Sequence, residues 1–408
     1  MKKIIFIAIA CILGLIGCTQ QQNDAIITTF ESVAKKVKME FAPDSRSKVF
    51  KFTLEKNGTE YILKGSTTEM QAKEALLAQL LKNNIQVIDS SYLLPSADLG
   101  DKTFGVATQS VINFRTDSEY SAESATQVMM GTPLRILETE GGWSRCITPE
   151  GYIAWVTSGS LAEMSKADFD NYTAAKKVIV TTKYTTVTKE PLETSLMVTD
   201  AVWGNIMLDL GIEENMQKVA LADGREGYLP LSQVQPFDTW VAQRNPIAEN
   251  IIATAKQFIG IPYMWGGTSI KAVDCSGFTK TVYFLNGLII ARDASQQCYT
   301  GTDVNINEYV NNNNYTLDAI KNLQKGDLIF FGRKTTSEKK EKISHVGIYI
   351  ENGIFIHAAT KVRINSLIPT DSTYYDGSTR LVRAQRIIGN QDTGKGIESI
   401  AKSGYLIK

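Results

Sequence analysis

The sequence predicts an α+β protein built from several folded pieces in series. Three observations carry this. Residues 25–95 combine helical hydrophobic spacing with a hairpin signal. Two stretches, 105–165 and 176–237, run as short strands and turns with similar endings. Residues 246–390 open with an amphipathic helix and continue into a second helix and strands. The length of 408 residues suits two to four domains at about 100–200 residues each. Lys and Arg number 43, as do Asp and Glu, so nucleic-acid binding driven by net charge is excluded. Hydrophobic content of 43% and charged content of 21% exclude wholesale disorder. No apolar run reaches the ~18–20 residues of a membrane span, which excludes a polytopic membrane protein. Five Cys and two His are too few for a disulfide-dense mini-fold or for most multi-zinc sites.

The first element is a targeting segment. Met1-Lys2-Lys3 is a short basic start, and Ile4 to Ile16 is uncharged and mostly apolar. Leu15-Ile16-Gly17-Cys18 closes it and resembles a bacterial lipobox. Residues 1–17 are thus expected to be a lipoprotein signal peptide, with the lipid anchor on Cys18 and a polar tether from Thr19 to Asp24. The expected product is an exported lipoprotein at the cell envelope, at the outer membrane if the host is Gram-negative. Cys11 leaves with the signal, and Cys146, Cys275 and Cys298 remain. An odd number leaves at least one free thiol. Cys146 and Cys298 read as buried small hydrophobes, with a bridge between them still open.

In residues 25–95, Ile26, Ile27, Phe30, Val33, Ala34 and Val37 recur at helical spacing. Asn57-Gly58 between two strand-like runs signals a hairpin. Ser66 with Glu69 reads as a capping box ahead of a helix carrying Leu76, Leu77, Leu80 and Leu81. Ile85 to Ile88 reads as a closing strand. Nothing here carries chemistry, so the module is a spacer or docking piece. In 105–165, Leu134 to Leu137 precedes Gly141-Gly142-Trp143, and Pro149 to Val156 supplies a turn and a strand. Ala222-Asp223-Gly224 and Gly227-Tyr228-Leu229-Pro230 echo the Gly151-Tyr152-Ile153-Ala154 ending. Two all-β units of about 60 residues suggest tandem small barrels. They resemble bacterial SH3-like domains.

In 246–390, Pro246 precedes an amphipathic helix through Ile259, and Gly260 to Gly267 is rich in turn residues. A helix is predicted from about Cys275 to Leu288, then strands at 327–331, 345–350 and 354–358. Arg333 to Lys342 and Asn311 to Asn314 are polar loops. Asp274 is placed as an N-cap, which sets Cys275 in the first helical turn. There the free N–H groups and the positive end of the helix favour a thiolate nucleophile. A general base must reach it, and the chain has only His345 and His357. His345 suits the base and His357 the polar group that fixes its tautomer. Both must then share a sheet face. A two-residue Asn352-Gly353 turn would put His357 opposite Ile348, on the wrong face; a three-residue loop, 351–353, puts it opposite Gly347. The catalytic reading therefore predicts the three-residue loop. The set lacks the ligands of a metal centre, so neither metal nor cofactor is expected.

Tyr263-Met264-Trp265-Gly266-Gly267, Asp274-Cys275-Ser276-Gly277-Phe278, Gly326 to Phe331, Ser344 to Tyr349 and Ile356-His357-Ala358 together resemble the NlpC-type cell-wall cysteine peptidases. The resemblance implies a papain-like domain over 246–390 with Cys275, His345 and His357 catalytic. With tandem SH3-like domains ahead, the chain resembles gamma-D-glutamyl-L-diamino-acid endopeptidases, or dipeptidyl-peptidases VI. These cut stem peptides that carry a free N-terminal L-Ala. The resemblance places Asp274 and Ser276 at the substrate amine and backbone, Tyr263 at the oxyanion and Trp265 on the pocket wall. From the first SH3-like domain it brings Tyr152 and Glu123, and from Arg292-Asp293-Ala294-Ser295 it brings Asp293 and Ser295. The implied partners are peptidoglycan-derived peptides and, through Cys18, a membrane; a monomer is expected. The competing readings are a wall-binding lipoprotein and an amidase or acyltransferase using the same Cys–His site.

Overall fold

A computed structural model describes residues 24–306, 316–403 and 405. The expected signal peptide, the expected anchor at Cys18 and the expected 311–314 loop lie outside the described residues. The chain divides into two compact units, Met1–Leu99 and Gly100–Lys408. Among the described residues no helix is long and apolar enough to cross a membrane.

In the first unit, helix α1 spans 24–41 and buries Phe30, Val33 and Val37. Strands β1 (Phe50–Asn57) and β2 (Glu60–Thr67) form an antiparallel hairpin. Helix α2 (Met70–Lys82) follows, and β3 (Ile88–Leu93) adds parallel to β2. Leu54, Leu63, Leu76 and Leu80 complete the core. Three local expectations shift. Asn57 pairs with Glu60, so the turn is Gly58-Thr59. The closing strand starts where the sequence placed its end. Ser66 is no helix cap: it stays in β2, paired to Lys51 and Tyr92, and the Thr67 hydroxyl takes the Glu69 N–H instead. Two ladder partners outweigh one capping bond.

The second unit begins with two barrels. The first comprises β4 (Phe104–Ala107), β5 (Val111–Arg115), β6 (Ser124–Met129), β7 (Pro133–Glu140), β8 (Trp143–Ile147), β9 (Ile153–Thr157) and β10 (Leu161–Met164). Helix α3 (Lys166–Ala174), capped by the Ser165 hydroxyl, leads to the second. That barrel comprises β11 (Lys177–Val180), β12 (Tyr184–Thr188), β13 (Met197–Val202), β14 (Ile206–Glu213), β15 (Met216–Ala220), β16 (Glu226–Pro230) and β17 (Val234–Pro236). Strand orders are β10-β4-β7-β8-β9-β5-β6 and β13-β12-β16-β15-β14-β11-β17, the same topology written from opposite ends. Every strand of the second barrel starts 73 positions after its counterpart, from Phe104 and Lys177 through to Leu161 and Val234. The repeat is therefore free of insertions. It also corrects the sequence echo: Gly227-Tyr228 lies on Ala154-Trp155, and the true counterpart of Tyr152 is Arg225. Trp155 and Tyr228 each lie under a cation, Arg145 and Lys218 respectively.

Helices α4 (Phe237–Ala242) and α5 (Ala248–Lys256) lead into the last domain. Two short strands, β18 (Thr268–Ser269) and β19 (Ala272–Val273), precede the central helix α6 (Cys275–Leu285). After β20 (Leu288–Ile289), α7 (Ala294–Gln297) and β21 (Thr302–Val304) come the sheet strands β22 (Leu328–Arg333), β23 (Lys342–Glu351), β24 (Ile354–Ala359), β25 (Lys361–Ser366) and β26 (Leu381–Arg386). The sheet order is β21-β26-β22-β23-β24-β25. Helix α6 is buried almost all round, and Phe278, Val282 and Tyr283 join the core with Phe330, Val346, Ile348 and Ile356 of the sheet. Met129 of the first barrel and Ile179, Val202 and Ile206 of the second belong to the same core. The stretch between β22 and β23 is largely exposed, as its charge run predicts.

Candidate active site

Cys275 opens α6. Asp274 is its N-cap and accepts the Gly277 N–H at 2.6 Å. The sulfur is buried, and the backbone N–H groups of Val346 and Ser276 face it. Helix-end donors were expected to favour the thiolate. Burial and the Asp274 charge outweigh them and push the thiol up to about 12. Cys275 is thus held as a thiol that must hand its proton to a neighbour.

The neighbour is set by the sheet. The turn between β23 and β24 has two residues, because Glu351 pairs with Ile354; the three-residue loop is not formed. Asn352 and Gly353 have φ of 51° and 82°, the double left-handed geometry of a type I′ turn. The register then slips between Tyr349 and Glu351, and Ile350 is the extra residue of a bulge. The bulge restores the alternation. Ile348 pairs with Ile356, which sets His357 across from Gly347 and on the face of His345. Gly347 makes room there: a Cβ would stand 3.2 Å from His357 Cβ.

The two imidazoles touch, with His345 Nε2 2.7 Å from His357 Nδ1. His357 is fully buried, and its Nε2 lies 3.0 Å from Asn365 Oδ1 on β25. The Asn365 amide donates to the Thr373 carbonyl at 2.8 Å. This chain fixes both tautomers. The Thr373 carbonyl orients the amide so that its oxygen faces His357. His357 must then carry its proton on Nε2 and accept at Nδ1. His345 therefore donates from Nε2 and keeps its Nδ1 lone pair for the thiol. Tyr375, Phe355 and Phe331 surround the pair, with Tyr375 and Phe355 ring centroids 4.9 and 4.8 Å from His357. Burial, then His357, Arg380 and Arg363, hold His345 down at about 3. Burial holds His357 at about 4 despite Asn365. Asn365 was missed in the sequence. Its signal is the alternation of Lys361, Arg363 and Asn365 with apolar Val362 and Ile364.

The other wall is built around a buried guanidinium. Arg292 meets Asp274 at 2.6 and 3.2 Å, the Ser276 hydroxyl at 3.0 Å and the Thr126 hydroxyl of the first barrel at 2.7 Å. Asp274 also accepts from the Gly266 N–H and the Ser276 hydroxyl. Both carboxylate oxygens of Asp274 thus accept donors from within the protein, at the position the sequence, with Ser276, sets against the substrate amine and backbone. Burial alone would lower the Arg292 pKa, but Asp274 carries it above its ordinary value. Gln127 joins the first barrel to Thr268 through two hydrogen bonds, and Glu150 pairs with Lys280 at 2.9 Å. Tyr152 is buried and points its hydroxyl at Asp293 Oδ2, 3.4 Å away.

Asp293 caps α7, and its side chain is partly open. Ser295 is half-buried in the same helix. Tyr263 is half-buried; burial, then Cys275 and Asp274, push its pKa up, so its hydroxyl remains a donor. Trp265 stands 60% exposed, a rim residue. Glu123 is exposed and forms no ion pair among the described residues, so it does not join the buried polar cluster. Cys146 and Cys298 are buried and free, which removes the bridge between them. Among the described residues no three His, Cys, Asp or Glu cluster as metal ligands.

Residues 260–383 match the NlpC/P60 family, and residues 114–161 match the bacterial dipeptidyl-peptidase Sh3 domain. A gamma-D-glutamyl-L-lysine dipeptidyl-peptidase of Bacillus cereus is 30% identical over 259 residues, covering 61% of this chain and 72% of that protein. Dipeptidyl-peptidase 6 of Lysinibacillus sphaericus is 27% identical over 264 residues, covering 62% and 88%. The crystal structure of a NlpC/P60 family protein from Bacillus cereus shares the fold, with a TM-score of 0.57 at 23% identity over 69% of this chain and 99% of that one.

Proposed function

This chain belongs to the NlpC/P60 family of cysteine peptidases, and from that premise we propose that it hydrolyses the bond between γ-D-Glu and the diamino acid of peptidoglycan stem peptides, releasing L-Ala-D-Glu. The observation that carries the reading is the line from His345 across His357 to Asn365, beside a Cys275 sulfur that faces the N–H of Val346, the residue after His345, with a wall supplied by the first barrel. In this reading Cys275 Sγ attacks the γ-carbonyl carbon of D-Glu while its proton passes to His345 Nδ1. The Cys275 N–H and the Tyr263 hydroxyl hold the oxyanion. The C–N bond breaks as His345 returns the proton to the leaving amine. Water, deprotonated by the same imidazole, then cleaves the thioester and regenerates the thiol.

The closed end selects a free N-terminus. An ammonium taken from water needs an anionic partner. Asp274 is held at 2.6 Å by Arg292 and Glu123 stands outside the buried cluster; Asp293, partly open, 3.7 Å from the same guanidinium and oriented by Tyr152, takes the amine. Export and lipidation of Cys18, with the body held as a monomer at the envelope surface, complete the proposal; the basic start, apolar core and Gly17-Cys18 support it. Radiolabelled palmitate entering the wild type but not Cys18→Ala tests the anchor.

The activity is tested with L-Ala-γ-D-Glu-L-Lys and its diaminopimelate analogue, each with a free or an acetylated amine, read by mass spectrometry. Release of L-Ala-D-Glu from free-amine peptides only, lost in Cys275→Ala, is the expected result. Equal cleavage of acetylated peptides would overturn the amine pocket. Full activity in Cys275→Ala would overturn the mechanism.

A further inference from the structure

We propose that Arg363 and Arg380 form an anion subsite beside His345 that takes a carboxylate of the departing half of the peptide. The inference rests on the peptidase reading above. Arg363 is the cross-strand partner of His357, so the two side chains share the sheet face that carries the catalytic line. Arg380 ends the short helical turn 376–380, just after Tyr375, whose ring lies 6.1 Å from His345 and 4.9 Å from His357. Both guanidinium charges reach His345 and disfavour its protonation.

Neither guanidinium forms an ion pair or a hydrogen bond among the described residues. The Nε of Arg363 is buried without an acceptor. A buried charged donor left unpaired is costly, and native proteins seldom keep one without a use. Other arginines of the same domain have an acidic partner: Arg292 meets Asp274, Arg386 meets Asp327, and Arg383, whose Nε also lacks a hydrogen bond, stands 3.3 Å from Glu341. The two that flank the general base lack such a partner. A planar fork of N–H donors with no protein acceptor is suited to a carboxylate.

The reaction sets which carboxylate. The acyl half of the substrate runs from Cys275 toward the wall of α7 and the first barrel, where Tyr152 meets Asp293. His345 must deliver a proton to the leaving amine, so the departing residue passes along the imidazole. Its α-carbon carries both that amine and a carboxyl group. A diamino acid with a free α-carboxylate therefore brings an anion within reach of the imidazole's own flank. Diaminopimelate carries a second one on its side chain. The subsite favours short stem fragments that end at the diamino acid.

The test is kcat/KM for three peptides: L-Ala-γ-D-Glu-L-Lys, the same peptide as its C-terminal carboxamide, and the free acid with the D-Glu α-carboxyl amidated. Each is measured in the wild type, Arg363→Gln, Arg363→Lys and Arg380→Gln. Ratios taken within one variant cancel any general loss. The wild type is expected to prefer free acid over carboxamide by at least about tenfold, the worth of one charge-assisted pair. The ratio should fall to about threefold or less in Arg363→Gln, fall partly in Arg380→Gln, and partly recover in Arg363→Lys. Arg380 is exposed, so its variant keeps the test alive if Arg363→Gln does not fold. A wild-type ratio near one, or a ratio unmoved by both Gln variants, overturns the subsite. A preference that follows the D-Glu carboxyl instead places the anion on the acyl side and overturns it too. If the wild type cleaves none of the three, the peptidase reading itself has failed.

Discussion

The first and second barrels share strand order and a strict 73-residue spacing, yet equivalent positions in them make different contacts. Gln127 and Asp200 are equivalent positions, and so are Tyr152 and Arg225. In the first barrel they are neutral: Gln127 clasps Thr268, and Tyr152 reaches Asp293. In the second they are charged: Asp200 pairs with Lys271 and takes a bond from Ser110, and Arg225 pairs with Asp223 and reaches the Thr108 carbonyl. The repeat thus fixes the position on the barrel, and the side chain and its neighbour decide whether that position becomes a cleft wall, as at Tyr152, or a brace between barrels and hairpin, as at Asp200 and Arg225. Uncharged donors can orient a reacting centre without adding a field that disturbs its proton transfers. An exposed ion pair can brace a joint at little cost and little gain.

The largest effect is expected where the first barrel meets a buried charge. Arg292→Met leaves Asp274 with no cation, both side chains being nearly free of solvent. Removing one partner of such a pair typically costs about 3–5 kcal/mol. It also frees Thr126 and loosens the cap of α6. Thermal melting should report the loss, and kcat/KM should fall by at least about a hundredfold. A variant that melts like the wild type and keeps activity would show that the first barrel, too, is only a brace.

Acid should separate the barrels from the catalytic domain next. Both His of the chain lie in that domain, and both are held below their unfolded value. The unfolded chain therefore binds protons first. Stability is complete above about pH 6.5 and declines as pH falls toward the folded values, by up to about 1.4 kcal/mol per unit for each imidazole. Hydrogen exchange between pH 6.5 and 4 should open β23 and β24 before β7 and β8 or β14 and β15. The acid limb of kcat/KM should lie below the ordinary imidazole range. Barrel strands that open first, or a limb at about 6.5, would remove the distinction.

The candidate trio of Cys275, His345 and His357 could be named from the sequence because its residue types are scarce: with two His and five Cys in 408 residues, a base had almost no alternative. The route by which the His meet was not. The Asn352-Gly353 turn forms as its residues demand, and the bulge at Ile350 repairs the face; a bulge has no strong sequence mark. Asn365 and Arg292 were passed over for a related reason. Each works through partners far along the chain, Thr373 and His357 for one and Asp274 and Thr126 for the other. The barrels were visible from their turns, but the eye aligned two Gly-Tyr pairs that the fold keeps three positions apart.

Two milder substitutions test the comparison at matched positions. Tyr152→Phe removes one hydroxyl from the cleft wall. At about 0.5–1.5 kcal/mol for the lost bond, kcat/KM should drop roughly two- to tenfold. Arg225→Met, its counterpart, should leave kcat/KM within error. The smallest effect belongs to Lys271→Met. Its ammonium stands 2.6 Å from Asp200, but both side chains are more than 40% exposed, at 42% and 44%. Water screens such a pair, so about 0–1 kcal/mol of stability is at stake, and less at high salt. Asp200 also keeps its bond from Ser110, so the joint between barrels retains one contact when Lys271 is gone. Melting in low and high salt should show a small deficit that closes as salt rises, with kcat/KM unchanged. If Lys271→Met instead lowers kcat/KM as much as Tyr152→Phe, the second barrel shapes the cleft through the 268–273 hairpin, and the division between wall and brace fails.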